Sequence, residues 1–369
     1  MKNICIIGMG YVGLTLGVVM AERGFCVYGV EKRRDIVESL NKKKPHFFER
    51  GLQEKLEAVA GNRLFFRETI PKTVLDVFII SVGTPLDPET KKPILSYLEQ
   101  AVRDSMPHFN EGALLVLRST VPVGVTRTIV LPALRRAGKK NFFLAFCPER
   151  TVEGKALEEL LYLPQIVGGL DAQSCKHACD VFRAVTKTVV PVSSLEAAEM
   201  AKLLDNSYRD LIFGFANEIA CIAKGLGLNG PEIIRAANYN YERTKIPSPG
   251  YTAGPCLEKD PHILIESASR AGYMPRIVAS ARAVNEGIEK LTADRILNFL
   301  RMSSKDVSHA RVFISGLAFK GRPETGDLRG SSAVRVVRML QDAGVKNIIG
   351  HDFVAAQNDI SALGITSAS

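Results

Sequence analysis

The sequence predicts an α/β protein. A doubly wound parallel sheet of Rossmann type comes first, then a helical region, then an apparently incomplete second Rossmann-like unit. Three observations predict this. Short, wholly apolar runs alternate with amphipathic stretches through roughly the first 170 residues, as expected of parallel strands covered on both faces. A glycine-rich turn, Gly8-Met9-Gly10-Tyr11-Val12-Gly13, leaves the first such run and opens a helical pattern, the arrangement of a dinucleotide-binding fold. From residue 194 to about 302 the pattern is helical, and strand, loop, helix and strand follow from residue 311.

In chain order, strands are expected at 3–7, 26–30, 63–66, 76–82, 114–119 and 142–147, with helices such as 11–23 and 51–60 between them. The second strand runs into Glu31, an acid where a ribose hydroxyl would sit. Strand, GxGxxG, helix, strand and acid in this order predict dinucleotide binding by Gly8, Gly10, Tyr11, Val12, Gly13 and Glu31. The acid favours NAD over NADP, while Lys32, Arg33 and Arg34 could hold a 2′-phosphate instead. The fourth and fifth strands end in Ser81-Val82-Gly83-Thr84-Pro85 and Arg118-Ser119-Thr120-Val121-Pro122. Carboxyl ends of parallel strands bind ligands, so these hydroxyl residues either line the nicotinamide half or simply end strands. The sixth ends in Cys147-Pro148-Glu149 and continues to Glu153, two acids four apart in a binding loop or a solvated one.

The helical region is expected at 195–225, 231–238 and 274–300. Lys202 and Asn206 are i, i+4 neighbours on one face. An ammonium and an amide so placed can meet a developing oxyanion, although an exposed lysine is the commoner case. Residues 247–261, PSPGYTAGPCLEKDP, place Cys256 in a stretch stiffened by prolines and loosened by glycines. It is either a turn that contains a cysteine or a cysteine presented to a ligand. Beyond it, a strand at 311–315, a helix at 332–343 and a strand at 347–350 begin the third region.

Composition narrows the class. Of 369 residues, 46% are hydrophobic and 24% charged, an ordinary globular balance. No apolar run approaches the ~18 residues of a membrane span, and the N-terminal stretch reads as a buried strand, not a signal peptide. Seven cysteines without framework spacing fit a reducing, cytoplasmic setting. Cys175, His177 and Cys179 lack a fourth partner, so no metal is expected. The net charge of +9 is spread along the chain without interleaved aromatics, which argues against nucleic acid and suits small anionic ligands.

Taken together, these residues resemble the UDP-glucose/GDP-mannose dehydrogenase family of nucleotide-sugar 6-dehydrogenases. The likeness runs in order through GMGYVGL at 8–14, SVGTP at 81–85, STVPVG at 119–124 and CPERTVEG at 147–154. It continues through EMAKLLDNSY at 199–208, PSPGYTAGPCLEKDP at 247–261 and GLAFKGRPETGDLRGSS at 316–332. The resemblance implies oxidation of a sugar C6 alcohol to a carboxylate with two NAD, feeding polysaccharide precursors. It implies that Cys256 is the nucleophile, passing through a thiohemiacetal and a thioester. Lys202 and Asn206 would stabilise the oxyanion. Asp260 would be the base, acting with water near Thr120, and Glu149 would assist thioester hydrolysis. Val82, Gly83, Thr84, Pro85, Ser119, Thr120, Glu153 and Arg329 would join the NAD site. Glu149, Lys202, Asn206, Arg243, Tyr251, Gly254 and Lys320 would contact the UDP-sugar.

The resemblance further implies three regions: an NAD-binding domain at 1–193, a helical dimerisation and catalytic-loop domain at 194–302, and a partial UDP-sugar-binding domain at 310–369. The shortness of the third predicts weak UDP-sugar binding beside normal NAD binding. Three departures from the family pattern stand out: Ala253-Gly254-Pro255 before the cysteine, Glu31 in place of Asp, and Glu49-Arg50-Gly51-Leu52 in place of Glu-Pro-Gly-Leu. The sugar stays open among glucose, N-acetylglucosamine, N-acetylmannosamine and galacto forms. The rivals are a two-electron dehydrogenase of the 6-phosphogluconate or hydroxyacyl type, which needs no loop nucleophile, and a non-catalytic NAD-binding relative.

Overall fold

The computed structural model describes residues 2–303 and 306–368. The chain forms two compact units that divide between Leu203 and Leu204. In the first, eight strands form one sheet: β1 (Asn3–Ile7), β2 (Cys26–Val30), β3 (Leu64–Arg67), β4 (Val77–Ile80), β5 (Leu114–Leu117), β6 (Phe143–Phe146), β7 (Gln165–Gly169) and β8 (Val189–Val192). Their order is β3-β2-β1-β4-β5-β6-β7-β8. Pairing is parallel from β3 to β6, antiparallel between β6 and β7, and parallel again between β7 and β8.

The wholly apolar strands follow from this layering. Ile4 and Ile6 of β1 pack in one layer with Leu14 and Leu16, while Cys5 and Ile7 pack in the opposite layer with Phe78 and Leu115. A strand with helices on both faces has no solvent side on which to alternate. The carboxyl ends of β1, β4, β5 and β6 are neighbours, so the loops at 8–13, 81–85, 118–122 and 147–154 line one edge of the sheet.

The helix Leu195–Gly225 leads from the first unit into the second. The helices Gly230–Asn238, Asp260–Arg270 and Arg276–Met302 follow. A small parallel sheet ends the unit, with β9 (Arg311–Ser315), β10 (Asn347–His351) and β11 (Thr366–Ser367) in the order β11-β10-β9. Its core joins Leu297 and Leu300 to Val336, Val337 and Leu340 of the helix Ser332–Asp342. Just after β10, Asp352 accepts four backbone N–H bonds, from Leu317, Ala318, Val354 and Ala355. Strands β7, β8 and β11 add to the eight strands read from the sequence.

Candidate active site

In the first unit, the turn after β1 is shaped by contact. Gly8 has φ +95°, and a Cβ there would lie 2.6 Å from the Ser81 carbonyl oxygen. A Cβ on Gly13 would lie 1.9 Å from the Gly8 carbonyl oxygen. At Gly10 a Cβ would meet nothing within 4 Å. The helix Tyr11–Glu22 then starts without a side-chain cap, and open first-turn N–H groups attract anions. This turn therefore fits the pyrophosphate of the expected dinucleotide. Tyr11 stacks on Phe47 with centroids 3.9 Å apart.

Glu31 holds the turn from the next strand. One carboxylate oxygen accepts the Met9 N–H and the other the Arg33 N–H, each at 3.1 Å. The three neighbouring cations are engaged elsewhere: Lys32 with Asp104, Arg33 with Asp35, and Arg34 with Glu38.

Two further strand ends are tied together where the Thr84 hydroxyl donates to the Thr120 carbonyl at 2.6 Å. Thr84 and Ser119 are buried, Val82 is half-buried, and Gly83 and Pro85 are exposed. The loop after Thr120 is gripped by Glu199, which lies on the helix that carries Lys202. Its carboxylate accepts from the Gly124 N–H, the Thr126 N–H and the Thr126 hydroxyl. Burial pushes the Glu199 carboxyl above its ordinary range despite those donors. Lys202 itself is only 8% exposed.

Glu149 lies in the loop that follows β6. Arg118, the residue ending the apolar run of β5, pairs with it, and the Arg150 and Thr151 N–H groups each donate at 2.6 Å. Burial alone would raise the Glu149 carboxyl. The Arg118 charge and the Thr151 amide outweigh burial and hold it below the usual range. Arg118 also donates to Gln165 at 2.8 Å and stands 5.5 Å from the Phe182 ring. Glu153 is half-buried. Glu49 accepts the Gly154 and Ala156 N–H groups, fastening the loop that carries Glu153.

In the second unit, the cysteine turn is built from main-chain contacts. Cys256 is exposed, and its carbonyl accepts the Asp260 N–H at 2.9 Å and the Lys259 N–H at 3.2 Å. Asp260, fully buried, opens the helix Asp260–Arg270 and accepts from the Asn206 amide at 2.6 Å. The structure thus brings Asn206, Cys256 and Asp260 together. Gly254 has φ +101°, its N–H donates to the Gly330 carbonyl, and a Cβ there would lie 2.5 Å from the Phe319 ring.

Behind the turn, Arg282 donates to Asp210 at 2.6 Å and to the Leu257 carbonyl at 3.0 Å. Asn217 clamps both backbone groups of Gly250. Lys320 lies 5.2 Å from the Phe319 ring and Arg243 5.9 Å from the Tyr241 ring. Tyr251 is 45% exposed. Arg329 is exposed, and its guanidinium donates three bonds and its backbone N–H one bond to Asp327.

The sequence gives no role to Arg118, Glu49 or Glu199, although each stands in a quoted stretch, and does not single out Asp210 or Arg282. The available signal was a charge inside an apolar or helix-face pattern, as in Leu114-Leu115-Val116-Leu117-Arg118, since buried charges need partners.

Comparison with known proteins agrees with this architecture. Residues 2–186 match the UDP-glucose/GDP-mannose dehydrogenase family, NAD binding domain, and residues 196–287 match that family's central domain. A UDP-N-acetyl-D-mannosamine dehydrogenase of Pyrococcus horikoshii is 32% identical over 356 residues, 95% of this chain and 83% of the relative. A solved structure titled as UDP-D-ManNAc dehydrogenase from Pyrococcus horikoshii superposes with a TM-score of 0.88 at 31% identity, over 96% of this chain and 84% of that one. A UDP-glucose dehydrogenase structure from Pyrobaculum islandicum gives 0.87 at 29%, over 100% and 86%. With both domain profiles matched in order, the chain belongs to the UDP-glucose/GDP-mannose dehydrogenase family of nucleotide-sugar oxidoreductases.

Proposed function

We propose that this chain oxidises the C6 alcohol of a UDP-sugar to the carboxylate in two successive two-electron steps, with UDP-N-acetylmannosamine as preferred substrate. The observation that carries the reading is the Cys256 turn, which joins an exposed thiol to a buried Asn206–Asp260 hydrogen bond. The choice of sugar is supported by relatives named UDP-N-acetyl-D-mannosamine dehydrogenase at 30–32% identity.

NAD would be held by Gly8, Gly10, Tyr11, Val12, Gly13 and Glu31, with Val82, Gly83, Thr84, Pro85, Ser119, Thr120, Glu153 and Arg329. When bound, it takes up a hydride from C6 in each of the two oxidations. Glu31 repels a 2′-phosphate, and the engaged Lys32, Arg33 and Arg34 do not offset it. Lys202 and Asn206 stabilise the charge that develops on the C6 oxygen. Asp260 takes the hydroxyl proton through a water near Thr120.

The Cys256 thiolate then adds to the aldehyde carbon, forming a C–S bond and leaving the oxygen as a hemithioacetal hydroxyl. The second oxidation leaves a thioester. Water, assisted by Glu149, attacks its carbonyl carbon, the C–S bond breaks, and the carboxylate departs as the thiol reforms. Lys320, Arg243, Tyr251 and Gly254 contact the sugar nucleotide. Two copies of the chain pair through the helix Leu195–Gly225, which carries exposed apolar side chains.

The test is NADH formation over a panel of UDP-sugars, combined with Cys256→Ser. We expect the highest kcat/KM with UDP-N-acetylmannosamine, two NADH per uronate, and no uronate from the variant although it still binds NAD. One NADH per product with aldehyde accumulating, or full activity in the variant, would overturn the covalent reading.

A further inference from the structure

The turn that carries Cys256 is fixed to the C-terminal segment at two points, both within the second unit. The first is the Gly254 N–H bond to the Gly330 carbonyl, 2.9 Å long. It lies where no side chain fits: a Cβ on Gly330 would be 2.8 Å from a Glu258 oxygen and 3.0 Å from the Gly254 carbonyl carbon. The second is ionic. Glu258, two residues beyond the cysteine, pairs with Arg335 on the helix Ser332–Asp342. The same guanidinium donates through Nε and Nη2 to Glu289 on the helix Arg276–Met302. Glu289 is 5% exposed and also accepts the Ser332 hydroxyl at 2.6 Å. Burial raises the Glu258 carboxyl and Arg335 draws it back.

A planar guanidinium with five donors can serve two carboxylates at once, which a lysine does less well. Without Arg335, Glu258 and Glu289 would lose the partner they share, and Glu258 is the member on the cysteine turn. Glu258 would move, and Cys256 sits two residues away.

We propose that Arg335 is a positioning residue for Cys256. By bridging Glu289 to Glu258 it makes the cysteine turn and the segment from Phe319 to Arg335 move as one body. This rests on the reading of Cys256 as nucleophile given above.

The test compares Arg335→Gln, Arg335→Lys, Glu258→Gln and the double variant Arg335→Gln/Glu258→Gln. Two readouts are used: steady-state kinetics, and the rate of Cys256 alkylation by iodoacetamide followed on its own peptide by mass spectrometry. In Arg335→Gln we expect kcat to fall roughly ten- to a hundredfold, as misplacement of a reacting group does, with KM for NAD unchanged. Alkylation of Cys256 should change several-fold. Arg335→Lys should lie between. The double variant should regain part of the loss, because no carboxyl on the turn is then left without its partner.

A folded Arg335→Gln protein with kcat and alkylation both within twofold of the parent would overturn the proposal, as would a double variant that regains nothing. If Arg335→Gln does not fold, Arg335→Lys decides by the same two readouts. If no UDP-sugar is oxidised at all, the functional reading falls, while the alkylation comparison still decides whether Arg335 holds the turn.

Discussion

At the scale of the residue, position in sequence and partner in space diverge most for charged side chains. Glu149 was legible as an acid at a strand end, but its state was not. Arg118 lies 31 residues away, and nothing in the local pattern announces that the two meet in a buried pair. The pairing has a pH signature. The folded carboxyl titrates below the ordinary glutamate value of 4.5. It therefore contributes stability that is complete above that value and is lost as pH falls through the depressed folded value. Glu149→Gln should lower stability at pH 7 by roughly 3–5 kcal/mol, the cost of breaking a buried pair. Its thermal midpoint should then fall less between pH 7 and pH 3.5 than that of the parent. Parallel pH curves for parent and variant would show that the pair is not what titrates. For Cys256 and Lys202 the local pattern left two readings open, and only the resemblance gave each a role; the structure finds Cys256 exposed and Lys202 buried, where an exposed lysine is the commoner case.

At the scale of the element, the six parallel strands from β1 to β6 could be read from their apolar runs because burial on both faces leaves a continuous signal. Strand β8 could not. It is an edge strand containing Pro191, with Val190 exposed, and proline is tolerated at an edge because no ladder bond is lost there. Strand β7 ends in two glycines packed against Ser194 and Cys175, which reads locally as a turn. The glycine turn after β1 gives a sharp expectation at this scale. Gly10 has φ −72° and open space around it, so Gly10→Ala should keep the thermal midpoint of the parent and weaken NAD binding about tenfold or more, 1.4 kcal/mol per decade. Gly13→Ala would force a methyl onto the Gly8 carbonyl and should also destabilise the fold by about 1–3 kcal/mol. Calorimetry with NAD beside thermal melts separates the two. Equal behaviour of both variants would sink the assignment of distinct roles.

At the scale of the whole molecule, the proposed pairing of two copies draws on one helix. Leu204, Tyr208, Phe215 and Ile222 of Leu195–Gly225 are 49%, 64%, 49% and 53% exposed. Spaced by four, seven and seven, they form a single stripe, and an apolar stripe of this size is more often covered than bare. Sedimentation velocity at micromolar concentration should show a dimer for the parent and a monomer for Phe215→Glu. A monomeric parent would remove the stripe as an interface. One last asymmetry concerns counting. In each sheet an acid just after the second strand binds the loop that follows the preceding strand, Glu31 in the first and Asp352 in the second. A carboxylate has about four lone-pair positions. Glu31 uses two on backbone donors, whereas Asp352 uses all four. The first can still receive two ribose hydroxyls and the second can receive none. A chain with two such sheets should therefore bind one dinucleotide, not two, and its binding stoichiometry follows from lone pairs already taken.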